Sequence, residues 1–78
     1  MKRYIYSETG LSARQRLKVA KNSTDPKELR RLANDENVNV RCYIAANPNT
    51  PVEVIEKLAD DEDEDIRRSA AKNLRRKL

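Results

Sequence analysis

Leu32-Ala33-Asn34-Asp35-Glu36, followed by Val40-Arg41 and Ala45-Ala46-Asn47, is answered 26 residues later by Leu58-Ala59-Asp60-Asp61-Glu62, Ile66-Arg67 and Ala71-Lys72-Asn73. A fixed period of this length marks stacked supersecondary units, each unable to bury its apolar face alone. The spacing inside the units is helical. Leu29, Leu32 and Ala33 recur at i, i+3, i+4, as do Val54, Ile55, Leu58 and Ala59, while Ile66, Ala70, Ala71 and Leu74 form one face. The chain is therefore expected to be all-α, a short α-solenoid of about two and a half helical repeats.

Working outward, a third and degraded copy lies upstream. Arg16 stands six residues before Asn22, as Arg41 stands before Asn47 and Arg67 before Asn73. Gln15 occupies the place of Val40 and Ile66, a polar replacement suited to a capping unit. Residues 1–10 fall outside the pattern and are assigned to an N-terminal arm or cap. Residues 11–78 form the repeat domain, with units near 11–22, 23–47 and 48–73 and a last helix running to 78.

Helix starts are written plainly. Asp25-Pro26-Lys27-Glu28 and Thr50-Pro51-Val52-Glu53 each read as N-cap, Pro at N1 and Glu at N3, and Ser12-Ala13-Arg14-Gln15 offers a third, weaker box. Polar runs before Val38 and Ile66 open the helices between them. Five helices follow, near 12–21, 26–33, 38–46, 51–59 and 64–77. Asn22 and Asn47 are expected as left-handed C-terminal caps, and Asn73 inside the last helix.

Composition narrows the function. A chain of 78 residues with no Trp or Phe must build its core from Leu, Ile, Val and Ala. It has no His, one Cys and one Gly, so catalytic triads, most metal sites and phosphate-binding loops lack their residues, and no enzyme activity or cofactor is expected. Cys42 has no intrachain partner, Met1-Lys2-Arg3 leads into no apolar leader, and no stretch is long enough to span a bilayer, which fits a reducing, cytoplasmic setting. The net charge of +4 hides a strong segregation. Residues 1–31 carry nine Lys/Arg against three acids, residues 32–66 two against ten, and residues 67–78 six against none.

The run Asn47-Pro48-Asn49-Thr50-Pro51, Val54-Ile55, Leu58-Ala59, the acids and Ile66-Arg67 resembles the leucine-rich repeat variant. The set Asp61, Ile66-Arg67, Ala70-Ala71 and Leu74 also resembles a HEAT repeat. The likeness to leucine-rich repeat variants implies a right-handed superhelix in which an α-helix alternates with a 3-10 or short second helix. Some proteins of that family carry an iron–sulfur cluster on a cysteine-rich segment. Cys42 alone cannot hold one, since about four thiolates are needed.

Each charged candidate has a structural reading beside the functional one. Asp35/Arg41 and Asp61/Arg67 share a six-residue spacing that resembles the HEAT Asp–Arg ladder, in which the Asp of one repeat meets the Arg of its neighbour. They are assigned to ion pairs that hold repeat register rather than to an anion site. The run Asp60–Asp65 is assigned to a solvated helix cap, lacking the Gly and distal Glu of a calcium loop.

Function is expected where the copies differ. The expected activity is that of a non-enzymatic scaffold binding a protein partner through its concave surface, with Tyr43, Arg68, Lys72, Arg75 and Arg76 as contacts. The alternative is an accessory nucleic-acid binder using the basic terminal helices. No membrane partner is expected, and the few repeats leave stacking faces that permit a homodimer joined end to end.

Overall fold

Ser12 opens the first helix by taking the Gln15 amide on its hydroxyl while the Gln15 side chain accepts the Ser12 amide, a complete capping box. In the computed structural model, which describes residues 10–78, five helices follow: α1 (Ala13–Asn22), α2 (Pro26–Leu32), α3 (Val38–Ala46), α4 (Val52–Leu58) and α5 (Glu64–Lys77). The fold is all-helical, as the periodicity requires. Both short helices, α2 and α4, are α-helical, so the 3-10 alternative implied by the family resemblance is not taken up. The proposed arm or cap at residues 1–10 lies outside the described residues except for Gly10.

Apolar spacing sets how the helices stack. α1, α3 and α5 form one layer, with α3 between the other two, and α2 and α4 lie against that layer. Leu29, Val40, Ile44, Ile55 and Ile66 are completely buried where the layers meet. Burial of each such side chain contributes about 1.5–3 kcal/mol, so no single helix accounts for stability. Ala20, Ala45 and Ala70, also fully buried, let neighbouring helices approach closely. Gln15 is exposed, unlike Val40 and Ile66 at the same register, and its side chain is committed to the Ser12 cap.

Three local expectations are corrected. Asp25 does cap α2, but on the Lys27 amide, and Glu28 turns back to accept the Ser23 hydroxyl instead of closing a box. Thr50 is not the cap of α4. Pro51 takes that position without a side-chain bond, and the Thr50 hydroxyl donates inward to the Ile44 carbonyl at 2.8 Å. The Pro48-Asn49 turn folds Thr50 over the end of α3, where it is fully buried. Thr50→Val keeps the shape but leaves that carbonyl with the Asn47 amide alone, at 3.2 Å, and should lower unfolding free energy by roughly 1 kcal/mol in urea titration. A loss below a few tenths would show the bond to be dispensable.

The third correction concerns the asparagines. No residue other than Gly10 has a left-handed backbone among those described. Asn22 ends α1 within the helix and Asn47 follows α3 at φ −70, ψ 122. Asn73 lies inside α5, as expected, and Asn47 and Asn73 are both buried.

Candidate interaction surface

Interactions between repeats take up most of the regular polar residues. Arg16 in α1 donates through Nε and Nη2 to both oxygens of Asp35, at 2.6 and 3.1 Å, and Arg41 in α3 does the same to Asp61 at 2.9 and 3.3 Å. The carboxylates thus pair with the preceding repeat, not with the arginine six residues on. The six-residue spacing has another cause. Nη1 of Arg41 donates to the Asp35 carbonyl at 2.8 Å, and Nη1 of Arg67 to the Asp61 carbonyl at 2.8 Å. Each arginine is held by the backbone of its own turn, and Arg16 and Arg41 reach forward with the other edge.

The aspartates have a local task as well. Asp35 Oδ1 accepts the Asn37 amide and Asp61 Oδ1 the Asp63 amide, and Asn37 and Asp63 are the N-caps of α3 and α5. The pairs are closed off from solvent: Asp35 is 0% exposed, Arg16 2% and Arg41 3%. Replacing such a buried pair with apolar residues of similar volume is often nearly neutral, whereas removing one partner is strongly destabilising.

A second ladder runs along the opposite helix ends. Asn47 Nδ2 donates to the carbonyls of Ala20 and Ser23, and Asn73 Nδ2 to those of Ala45 and Asn47, all at 2.9–3.0 Å. Helix C-termini leave carbonyls without intrahelical donors, and here the next repeat supplies the donors. The 26-residue spacing of Asn47 and Asn73 is the trace this ladder leaves in the sequence, but the spacing alone does not indicate the carbonyls they reach.

With Arg16 and Arg41 consumed in these ladders, the partner-contact candidates Tyr43, Arg68, Lys72, Arg75 and Arg76 are all exposed. The structure divides them. Tyr43, 38% exposed, projects from α3 with the Lys21 ammonium of α1 at 5.9 Å from its ring centroid. On the other side of α3, Ala46, Ser69, Lys72, Asn73 and Arg76 line a groove of 240 Å³. Lys21, Tyr43, Lys72 and Arg76 therefore lie in one strip across the three stacked helices.

Arg68 and Arg75 follow the far side of α5, along with Arg67 and Ala71 at helical i, i+3 and i+4 spacings. Arg68 also pairs with Glu64 at 2.8 Å. Cys42 is half-buried against the core, with Sγ 3.9 Å from the Ser69 hydroxyl.

Charge is segregated along the helix axes. The two ladders require α1, α3 and α5 to run parallel, which puts Asp35, Glu36 and residues 60–65 at one edge and Lys21, Lys72, Arg75, Arg76 and Lys77 toward the other. The groove beside Lys72 is smaller than the roughly 300–1,000 Å³ of typical small-molecule sites. Among the described residues, no three His, Cys, Asp or Glu side chains converge to hold a metal, and no helix is long and apolar enough to cross a membrane.

No curated protein and no solved structure matches the chain. Residues 38–63, from the start of α3 through α4 into the acidic turn, match the family described as leucine rich repeat variant, so the central unit is similar to that helical repeat and the resemblance read from its residues is supported.

Proposed function

We propose that this chain is a non-enzymatic scaffold that binds another protein through the strip formed by Lys21, Tyr43, Lys72 and Arg76, in a reducing, cytoplasmic setting. The observation that carries this reading is the placement of Tyr43. It is the exposed aromatic side chain at the middle of the helix layer, with the Lys21 ammonium over its ring and the Lys72–Arg76 groove on the other side of α3. Tyr and Arg are enriched at the centres of protein interfaces, where a rigid ring contributes area at little entropic cost. The absence of His and of any Gly-rich loop supports a binding role over a catalytic one.

The test is affinity capture from native lysate, with and without nuclease, by the parent chain and by Tyr43→Ala/Lys72→Ala. A protein retained after nuclease treatment, and bound about 30-fold more weakly by the double variant, is the expected result. Equal capture by both chains would reject the strip. The basic edge also supports a second reading, accessory nucleic-acid binding through Lys72, Arg75, Arg76 and Lys77. The acidic edge opposes a nucleic acid lying across the layer. That reading requires capture to vanish with nuclease and affinity to fall steeply as salt rises.

A further inference from the structure

Arg67 occupies the same register as Arg16 and Arg41, yet it is exposed while they are buried. Its Nη1 is already anchored on the Asp61 carbonyl, as Arg41 is anchored on that of Asp35. Among the described residues no carboxylate meets its other edge. Ala71 repeats the pattern, exposed where Ala20 and Ala45 are 0% exposed. The side of α5 facing away from α3 thus repeats the surface that α1 offers to α3 and α3 offers to α5.

We propose that this face binds a further helical unit, recognised by an aspartate two residues before a helix N-cap. The two occupied rungs define the required chemistry. In each, the aspartate meets Nε and Nη2 of the arginine while one of its oxygens holds the N-cap amide. Arg68, paired with Glu64, and Arg75 border Arg67 and Ala71, so the face keeps a net positive charge and favours an acidic turn.

A second copy of this chain does not meet the requirement. Gly10 stands six residues before Arg16, where the other copies have Asp35 and Asp61, so head-to-tail stacking brings no aspartate to that register. Two α5 faces meeting each other would set arginine against arginine.

The α2/α4 layer adds a second criterion. Arg30 of α2 pairs with Glu53 of α4, and Glu56 holds the register of Arg30 one unit later. The incoming unit should therefore carry a cation eight residues before its aspartate, where this chain has Glu53 before Asp61. The asparagine ladder does not extend to it. α5 continues to Lys77, so the Ala71 and Asn73 carbonyls are taken by amides four residues on.

This surface is distinct from the strip through Tyr43, and either can fail alone. The test uses the full chain and a fluorescent synthetic probe comprising residues 48–78, which carries the Asp61 turn, with binding followed by anisotropy. Saturable binding is expected, weakened about 30-fold or more by Arg67→Gln in the chain or Asp61→Asn in the probe, and tightened about threefold by Glu53→Lys in the probe. Tyr43→Ala in the chain should leave probe binding unchanged, and Arg67→Gln, which gives up one exposed hydrogen bond, should lower its melting temperature by no more than about 5 °C. No binding at about 1 mM probe, affinity insensitive to Arg67→Gln and Asp61→Asn, or self-association of the chain that depends on Arg67 would each overturn the proposal.

Discussion

Asp35→Ala is expected to lower unfolding free energy by about 3–5 kcal/mol and leave much of the chain unfolded at 37 °C. The substitution takes both carboxylate oxygens from the Arg16 guanidinium, which is 2% exposed and whose Nη1 donates to the Leu11 carbonyl. It also removes the acceptor for the Asn37 amide at the start of α3. A domain of this size has roughly 4–12 kcal/mol in total, so the loss is a large share of it.

Circular dichroism melts should show a fall of at least about 12 °C, on the scaling for domains of 60–100 residues. A fall of less than about 2 °C would mean that water reaches Arg16 freely, against its observed burial. Two comparisons separate charge from packing. Asp61→Ala should cost less, because Glu62 already lies 3.8 Å from Arg41 and can take over part of the pairing. Arg16→Met combined with Asp35→Leu should recover most of the lost stability, since no buried charge is then left alone.

Asn47→Asp is expected to cost roughly 3 kcal/mol, more than Asn47→Ala. The aspartate retains the oxygen that accepts the Asn49 amide at 2.8 Å, so the turn after α3 keeps its bond. What is lost is the pair of donors to Ala20 and Ser23, and an anionic oxygen is placed against two carbonyl oxygens. Urea titration reads the energy, and amide exchange locates it. Protection should fall first at the end of α1 and the turn after it. If Asn47→Asp and Asn47→Ala prove equal, the carbonyls are satisfied by solvent and the asparagine ladder contributes packing alone.

These two residues also show what could be read from the chain and what could not. Helix positions were legible because caps, prolines and apolar spacing are local signals, and α3 and α5 fall where the periodicity put them. The Asp–Arg spacing was visible too, but it records each arginine's hold on its own backbone. The carboxylate partner lies 19 or 20 residues away and depends on how the helices stack. In the sequence Asn47 signals a left-handed cap, as asparagine at a helix end ordinarily does. Only the neighbouring helix reveals that its amide caps α1 instead.

Thr50 misled for a similar reason: a threonine before proline looks like a cap until the turn carries it inward. Tyr43 and Arg68 stand out in the sequence as neighbours of the repeat arginines, and Lys72, Arg75 and Arg76 as part of the basic last helix. Splitting them between the Tyr43 strip and the Arg67 face required knowing which side of α5 meets α3.

The forward reach of the arginines has a kinetic consequence. Every inter-repeat rung closes a loop of similar length, from 19 residues for Arg16–Asp35 to 28 for Asn73–Ala45. Closure entropy grows only with the logarithm of length, so each step costs nearly the same and none requires bringing distant ends together. Folding can therefore advance as a zipper, one unit ordering on the last. Because α1 depends on Asp35 and α3 on Asp61, a unit leaving the ribosome completes its arginine site only when the following turn has emerged. The order of synthesis and the order of locking coincide.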